Sequence, residues 1–308
     1  MSAEQAQAIL LGLALGDALG YPVEFLSLKR LYEKYGTTGM MEPPSPALYT
    51  DDTQMTLAVA NALIEAGDGD IDTLMQAVGR EFVRWMHSPE NNRAPGNTCL
   101  AGTRNFENGI PWRKSGIAES KGCGSAMRVA PIGYFYQHDA AKLKEVAVSS
   151  GIITHGHPAA KAASIAAAYM IKLALDGIHP EDWFRPVLQA TGGISDDFDQ
   201  AILRIGHVEG WTNKVAALQH IGEGWVGEEA VAMAFYCVRQ FPDDYVAAVR
   251  LAANIEGDSD SVACITGGIS AARLGLGAIP EDWKKRCENY PLLIEIGQKL
   301  AEKRDATA

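Results

Sequence analysis

Apolar residues recur at helical spacing along most of this chain, and strand-type alternation over any useful length is nearly absent. The periodicity predicts helices over residues 8–19, 53–66, 71–86, 140–150, 158–175, 228–241, 245–253 and 261–276. Several of these runs are built from small side chains, as in Ala162-Ala163-Ser164-Ile165-Ala166-Ala167-Ala168 and Thr266-Gly267-Gly268-Ile269-Ser270-Ala271-Ala272. Small residues let helix axes approach closely, which predicts a compact bundle of many helices. Glycines lower intrinsic helix stability, so tertiary packing is expected to hold these segments. The stretches richest in Gly, Pro and Asn, residues 41–48, 88–97 and 107–124, read as loops between helices. No linker, charge run or convincing repeat divides the sequence, so the expectation is one all-α domain over residues 1–308.

Composition narrows the function. At 47% hydrophobic and 21% charged the chain is globular, and at 308 residues it can bury a sizeable core. A formal charge of −11 with no Lys/Arg-rich run argues against a nucleic-acid partner. It leaves open a phosphate-bearing small molecule, because bound divalent cations can reverse the local sign. Five cysteines, widely spaced and odd in number, read as reduced thiols in a cytoplasmic protein and not as a disulfide framework. The start lacks a basic segment, and the apolar stretch from Ile9 is broken by Asp17, so neither export nor a membrane span is expected.

The candidate chemistry lies in two acidic clusters, Thr50-Asp51-Asp52-Thr53 and Asp258-Ser259-Asp260-Ser261, about two hundred residues apart. Each sets two carboxylates beside hydroxyls, an all-oxygen donor set suited to hard cations such as Mg²⁺ or Mn²⁺. Asp is also a common helix cap, and either cluster alone is equally compatible with capping. Together, each followed at once by an apolar helical run, they point to two halves of one metal site. Asp17 stands alone in an apolar helix and reads as structural, bonding the backbone N–H groups of a neighbouring loop. That helix should end at Gly20 in the left-handed termination that glycine favours, with Pro22 preventing its resumption. Glu24 then falls in a loop, either solvated or placed near the metals as a proton-transfer group. The Gly122-Cys123-Gly124-Ser125 turn offers backbone N–H groups to a phosphate, and Thr154-His155-Gly156-His157 reads as a hydrogen-bonding or stacking loop.

Seven short motifs follow one another along the chain: Gly16-Asp17-Ala18-Leu19-Gly20, Thr50-Asp51-Asp52-Thr53, Pro95-Gly96-Asn97-Thr98, Gly122-Cys123-Gly124-Ser125-Ala126-Met127-Arg128, Thr154-His155 with Pro158, Gly224-Trp225-Val226 with Glu228-Glu229-Ala230, and Gly257-Asp258-Ser259-Asp260-Ser261. In composition and order they resemble the ADP-ribosylglycohydrolase family, including its dinitrogenase-reductase-activating members. The resemblance covers nearly the whole chain. It implies an all-α fold with a cleft holding two divalent cations, Mg²⁺ or Mn²⁺, ligated by Thr50, Asp51, Asp52, Asp258, Asp260 and Ser261. It further implies Glu24 and Asp258 as catalytic carboxylates, Gly122, Gly124 and Ser125 at the pyrophosphate, and His155 near the nucleotide. The implied reaction is hydrolysis of the glycosidic bond between ADP-ribose and an acceptor, either a protein side chain or a small molecule. A non-catalytic crystallin-like relative and a two-metal phosphohydrolase are the rival readings. Three departures accompany the match: Ala94 where dinitrogenase-reductase-type relatives carry Asp, Glu256 where Gly is common, and Cys123 where Asn is frequent.

Overall fold

In the computed structural model, which describes residues 3–307, the helix Ala3–Gly20 is buried on every face from Ala8 onward. A helix apolar all round belongs at the centre of a bundle. Residues 3–23 are in fact long and apolar enough to cross a membrane by length and composition, so Asp17 does not break the stretch as the sequence suggested. Burial against other helices of the same chain accounts for that apolarity instead.

Its main partner is the helix Ser259–Leu274, buried from Ser259 to Ala272. Gly12, Gly16 and Gly20 form one stripe at four-residue spacing, and the partner meets it with Ala263, Gly267 and Ala271. A Cβ on Gly16 would lie 2.1 Å from the Ala263 carbonyl oxygen, and one on Gly20 would lie 2.5 Å from the Cα of Asp260. Gly20 does end the first helix, yet it is right-handed (φ −76°, ψ −37°). The expectation of left-handed termination is therefore corrected: glycine is needed there because the second acidic cluster touches its α-carbon.

Around this pair pack the helices Asp51–Ala66, Pro158–Leu175, Gly227–Gln240, Tyr245–Ala253 and Tyr290–Thr307, and one continuous hydrophobic cluster runs from Ala6 to Ala301. Seventeen α-helices and no strand occur among the described residues, with only three isolated bridges. The spans Ile71–Met86, Pro158–Leu175 and Tyr245–Ala253 coincide with the predicted ones, and five more differ by a few residues at their ends. Helices such as Asn97–Glu107 and Asp196–His207 were not foreseen, and the expected 107–124 loop contains the short helix Trp112–Ser115. In Asp196–His207 the signal is present, with Phe198, Ala201, Ile202 and Ile205 buried at helical spacing on an otherwise polar segment, whereas Asn97–Glu107 buries only Cys99, Gly102 and Thr103 and rests on tertiary contact. All five cysteines are free and buried.

The stripe makes a test. Gly16→Ala raises helix propensity but forces the central pair apart, and should destabilise the protein by about 1–3 kcal/mol in thermal or denaturant unfolding. Gly206→Ala, in a helix where the new Cβ meets nothing within 4 Å, should be neutral or slightly stabilising. Equal responses at the two positions would remove the close-packing argument.

Candidate metal centre and ligand cavity

Both acidic clusters are helix starts. Thr50 is the N-cap of Asp51–Ala66, its hydroxyl accepting from the Asp52 N–H, and Asp258 caps Ser259–Leu274 through the Ser261 N–H. Capping and clustering are thus realised together, and the positive helix ends favour the carboxylates they carry. The helix pairing at Gly20 then places the two starts side by side: the Ser261 hydroxyl donates to Asp52 Oδ1 at 3.2 Å.

Asp17 orders the first cluster from below. Its carboxylate accepts the N–H and hydroxyl of Thr50 (3.0 and 2.9 Å) and the N–H and hydroxyl of Thr53 (3.1 and 2.6 Å). Burial raises Asp17 from its ordinary 3.8 to about 6, and these donors oppose the rise, so it remains mostly ionised at neutral pH. The structural role read from the sequence corresponds to this bonding. Asp17 also lies within 4.8 Å of Asp52 and Asp260, but its lone pairs are already engaged, so it supports a cation site from outside.

Oxygens of Glu24, Asp258 and Asp260 likewise converge within 4.8 Å. Asp51 is held by the Gly96 N–H at 3.0 Å, so the Pro95-Gly96-Asn97 loop sets its position. Burial is the largest cause raising every one of these groups: Glu24 to about 8, Asp51 to about 7, and Asp52, Asp258 and Asp260 upward; repulsion from neighbouring carboxylates adds to the rise of Glu24, Asp51, Asp52 and Asp260, while hydrogen bonds oppose that of Asp258. The buried oxygens Glu24 Oε2 and Asp52 Oδ2 have no hydrogen-bond partner among the described residues. Arg128 is the buried cation nearby, and it donates to Ser150, Thr154, Cys99 and Met55, to none of the carboxylates. Crowded carboxylates with orphaned oxygens and, among the described residues, no ion pair to a basic side chain fit a divalent cation.

The cluster opens into a cavity of about 460 Å³, within the range of small-molecule sites. Gly122, Cys123 and Gly124 form one wall, and His155 another. A Cβ on Gly124 would come within 2.6 Å of Cys99 Sγ and 3.0 Å of the His155 ring, so glycine is what leaves the imidazole room. Burial, aided by Arg128, lowers His155 to about 3, so it is neutral. Thr50 and Ser125 are fully buried and do not line the cavity; Ser125 bonds the Ala160 carbonyl at 3.3 Å, and Thr50 points its proton at Asp17. Residues that sequence reasoning did not assign also appear. The Cys123 thiol donates to Asp258 at 2.9 Å, and Phe25 stacks on Trp225 at the mouth, ring centres 5.3 Å apart. Phe25 has φ +63° and Ala94 φ +46°, left-handed backbone that costs a non-glycine residue energy, and both border the cavity.

A sequence model of the ADP-ribosylglycohydrolase family matches residues 2–308. The chain belongs to the ADP-ribosylglycohydrolase family. Two relatives are the ADP-ribosylarginine hydrolase Tri1 of Pseudomonas putida, 28% identical over 97% of this chain and 78% of that protein, and the ADP-ribosyl-[dinitrogen reductase] glycohydrolase of Rhodospirillum rubrum, 25% identical over 92% and 90%. A solved ADP-ribosylglycohydrolase-related protein complex superposes with a TM-score of 0.75 at 25% identity, covering 98% of each chain. In this ADP-ribosylglycohydrolase backbone bonds tie the segment leading into the glycine turn to its neighbours: Gly227, beside Trp225, donates its N–H to the Lys121 carbonyl at 2.7 Å, and Gly156, beside His155, donates to the Ile117 carbonyl at 2.9 Å.

Carboxyls raised in the folded state bind protons that the unfolded chain releases. The stability this brings is complete below the unfolded values of 3.8 and 4.5, and is lost as pH rises through about 6, 7 and 8 for Asp17, Asp51 and Glu24. In EDTA the protein should therefore melt at a higher temperature at pH 6 than at pH 8. Saturating Mg²⁺ or Mn²⁺, which competes with protons, should stabilise more at pH 8. A cation effect that is flat across this interval would count against the carboxylates as its site.

Proposed function

We propose that this chain hydrolyses the glycosidic bond between ADP-ribose and an acceptor, a protein side chain or a small molecule, releasing ADP-ribose. One observation carries the reading: oxygens of Glu24, Asp258 and Asp260 lie within 4.8 Å of one another, oxygens of Asp52 and Asp260 lie within the same distance, and Glu24 and Asp52 each keep an oxygen without a partner among the described residues, at the floor of a cavity walled by the glycine turn and His155. Its relatives, an ADP-ribosylarginine hydrolase and an ADP-ribosyl-[dinitrogen reductase] glycohydrolase, support the same chemistry.

Under this proposal Asp51, Asp52, Asp258 and Asp260, with the Ser261 hydroxyl on the cavity side and the Thr50 hydroxyl oxygen from behind the cavity wall, its proton held by Asp17, hold two divalent cations, Mg²⁺ or Mn²⁺. Bound there, the cations would supply Lewis acidity for a water and for ribose hydroxyls. Glu24 is the proton-exchange group: its oxygens converge with Asp258 and Asp260, and Oε2, which has no partner among the described residues, is free to exchange a proton at the reacting bond. Asp258 assists as the carboxylate that bears on Glu24. Gly122 and Gly124 make room for the pyrophosphate, Ser125 supports that turn from behind, and Phe25 with Trp225 covers the mouth. Ala94 offers no carboxylate to the cavity, so a mechanism that needs an acid at that position is not carried over. Five buried free thiols support a reducing compartment such as the cytoplasm.

The direct test offers proteins ADP-ribosylated at arginine or at serine, and O-acetyl-ADP-ribose, with Mg²⁺ or Mn²⁺, and quantifies released ADP-ribose. EDTA-sensitive release from one substrate is expected and would name the acceptor. AMP plus ribose phosphate as the products would replace the proposal with a phosphohydrolase, and tight binding without release would leave a binding protein. Glu24→Gln should keep ADP-ribose affinity within a few-fold while turnover falls by about 10²–10⁴; undiminished turnover would remove Glu24 from the reaction.

A further inference from the structure

One buried polar chain leads from the interior to the cavity wall without touching the carboxylates. Arg128 is fully buried, its guanidinium over the Phe82 ring at 4.4 Å, and Nη2 donates to the Ser150 carbonyl at 2.9 Å and to Thr154 Oγ1 at 2.7 Å. Thr154 Oγ1 lies 2.8 Å from His155 Nδ1 and 3.3 Å from the Gly151 carbonyl oxygen.

The direction of these bonds follows from what each group can do. A guanidinium only donates, so Thr154 must accept from Arg128, and its single hydroxyl proton has two destinations. The Gly151 oxygen already receives the Thr154 N–H at 3.1 Å and the His155 N–H at 2.9 Å, which occupy both lone pairs. The hydroxyl proton therefore goes to His155 Nδ1, the shorter contact, and the charged donor behind it strengthens that bond. With Nδ1 accepting, a neutral imidazole carries its proton on Nε2. Nε2 has no protein partner among the described residues, and it faces the two glycines of the cavity wall: a Cβ on Gly122 would lie 3.2 Å from it. Burial and the nearby Arg128 charge keep the ring neutral, so it cannot donate from both nitrogens.

We propose that Arg128 and Thr154 are positioning residues that fix His155 as its Nε2–H tautomer, making the imidazole a one-way hydrogen-bond donor to an acceptor oxygen of bound ADP-ribose. The ligand half of this rests on the function proposed above; the tautomer half does not.

Long-range ¹H–¹⁵N correlation on histidine-labelled protein, with His155 assigned by its absence in His155→Gln, reads the tautomer directly. The wild type should show Nε2 protonated and Nδ1 bare. Thr154→Val, which keeps the shape and removes the hydroxyl, should lose that preference and weaken ADP-ribose binding roughly three- to tenfold by calorimetry. Thr154→Ser should restore both. A wild-type ring protonated on Nδ1, a tautomer unmoved in Thr154→Val, or a moved tautomer with unchanged ADP-ribose affinity would each overturn the proposal. Wild-type protein that shows the Nε2–H form but does not bind ADP-ribose would overturn the ligand half together with the proposed function, while the relay would stand.

Discussion

The contact on which the site depends is between two helices from opposite ends of the chain. Ala3–Gly20 and Ser259–Leu274 approach so closely that Gly16 and Gly20 have no space for a methyl group. Because the second helix begins at Gly20, its capping Asp258 and first-turn Asp260 arrive beside Glu24, three residues beyond the 3-10 turn's start at Tyr21. The first cluster reaches the same place through Asp17, one turn earlier on the same helix, which grips Thr50 and Thr53. Backbone proximity thus does the work of assembly, and the side chains arrive already oriented.

That assembly concentrates like charge in a dry setting, which no fold does without compensation. The protein supplies part of it. Helix N-termini face the carboxylates, Gly96 donates to Asp51, Ser261 to Asp52, and four donors hold Asp17. What remains are oxygens of Glu24 and Asp52 without partners, and a buried arginine whose bonds run away from the cluster toward Ser150 and Thr154. The separation is consistent: one positive group is spent on the imidazole wall, and the acidic floor is left for an external cation.

Much of this was legible beforehand, for identifiable reasons. Long periodic runs such as Pro158–Leu175 marked themselves, and an acid isolated at position 17 in an apolar helix had to have a partner. The paired clusters were legible because their composition repeats. Asn97–Glu107 was not, since Gly96 and Asn97 look like loop residues until the Asp51 contact makes Gly96 a helix start. Gly20 was placed at the helix end for the wrong cause, because the neighbour that demands it is about 240 residues away in sequence. The Arg128–Thr154–His155 chain was likewise invisible: its parts sit in two motifs, and only the fold shows that one feeds the other.

Phe25 and Trp225 give the cleft a property its polar floor does not have. The two rings lie nearly parallel, 20° apart, with Phe25 66% exposed and held in left-handed backbone. Glu24 precedes Phe25 directly, and while the ring is presented to solvent the carboxyl converges with Asp258 and Asp260. One short stretch of chain therefore carries both an exposed aromatic rim and a carboxylate of the acidic floor. A greasy edge and an acidic floor are thus adjacent residues of one turn, so the cleft offers a stacking surface and a cluster of oxygens within the same mouth.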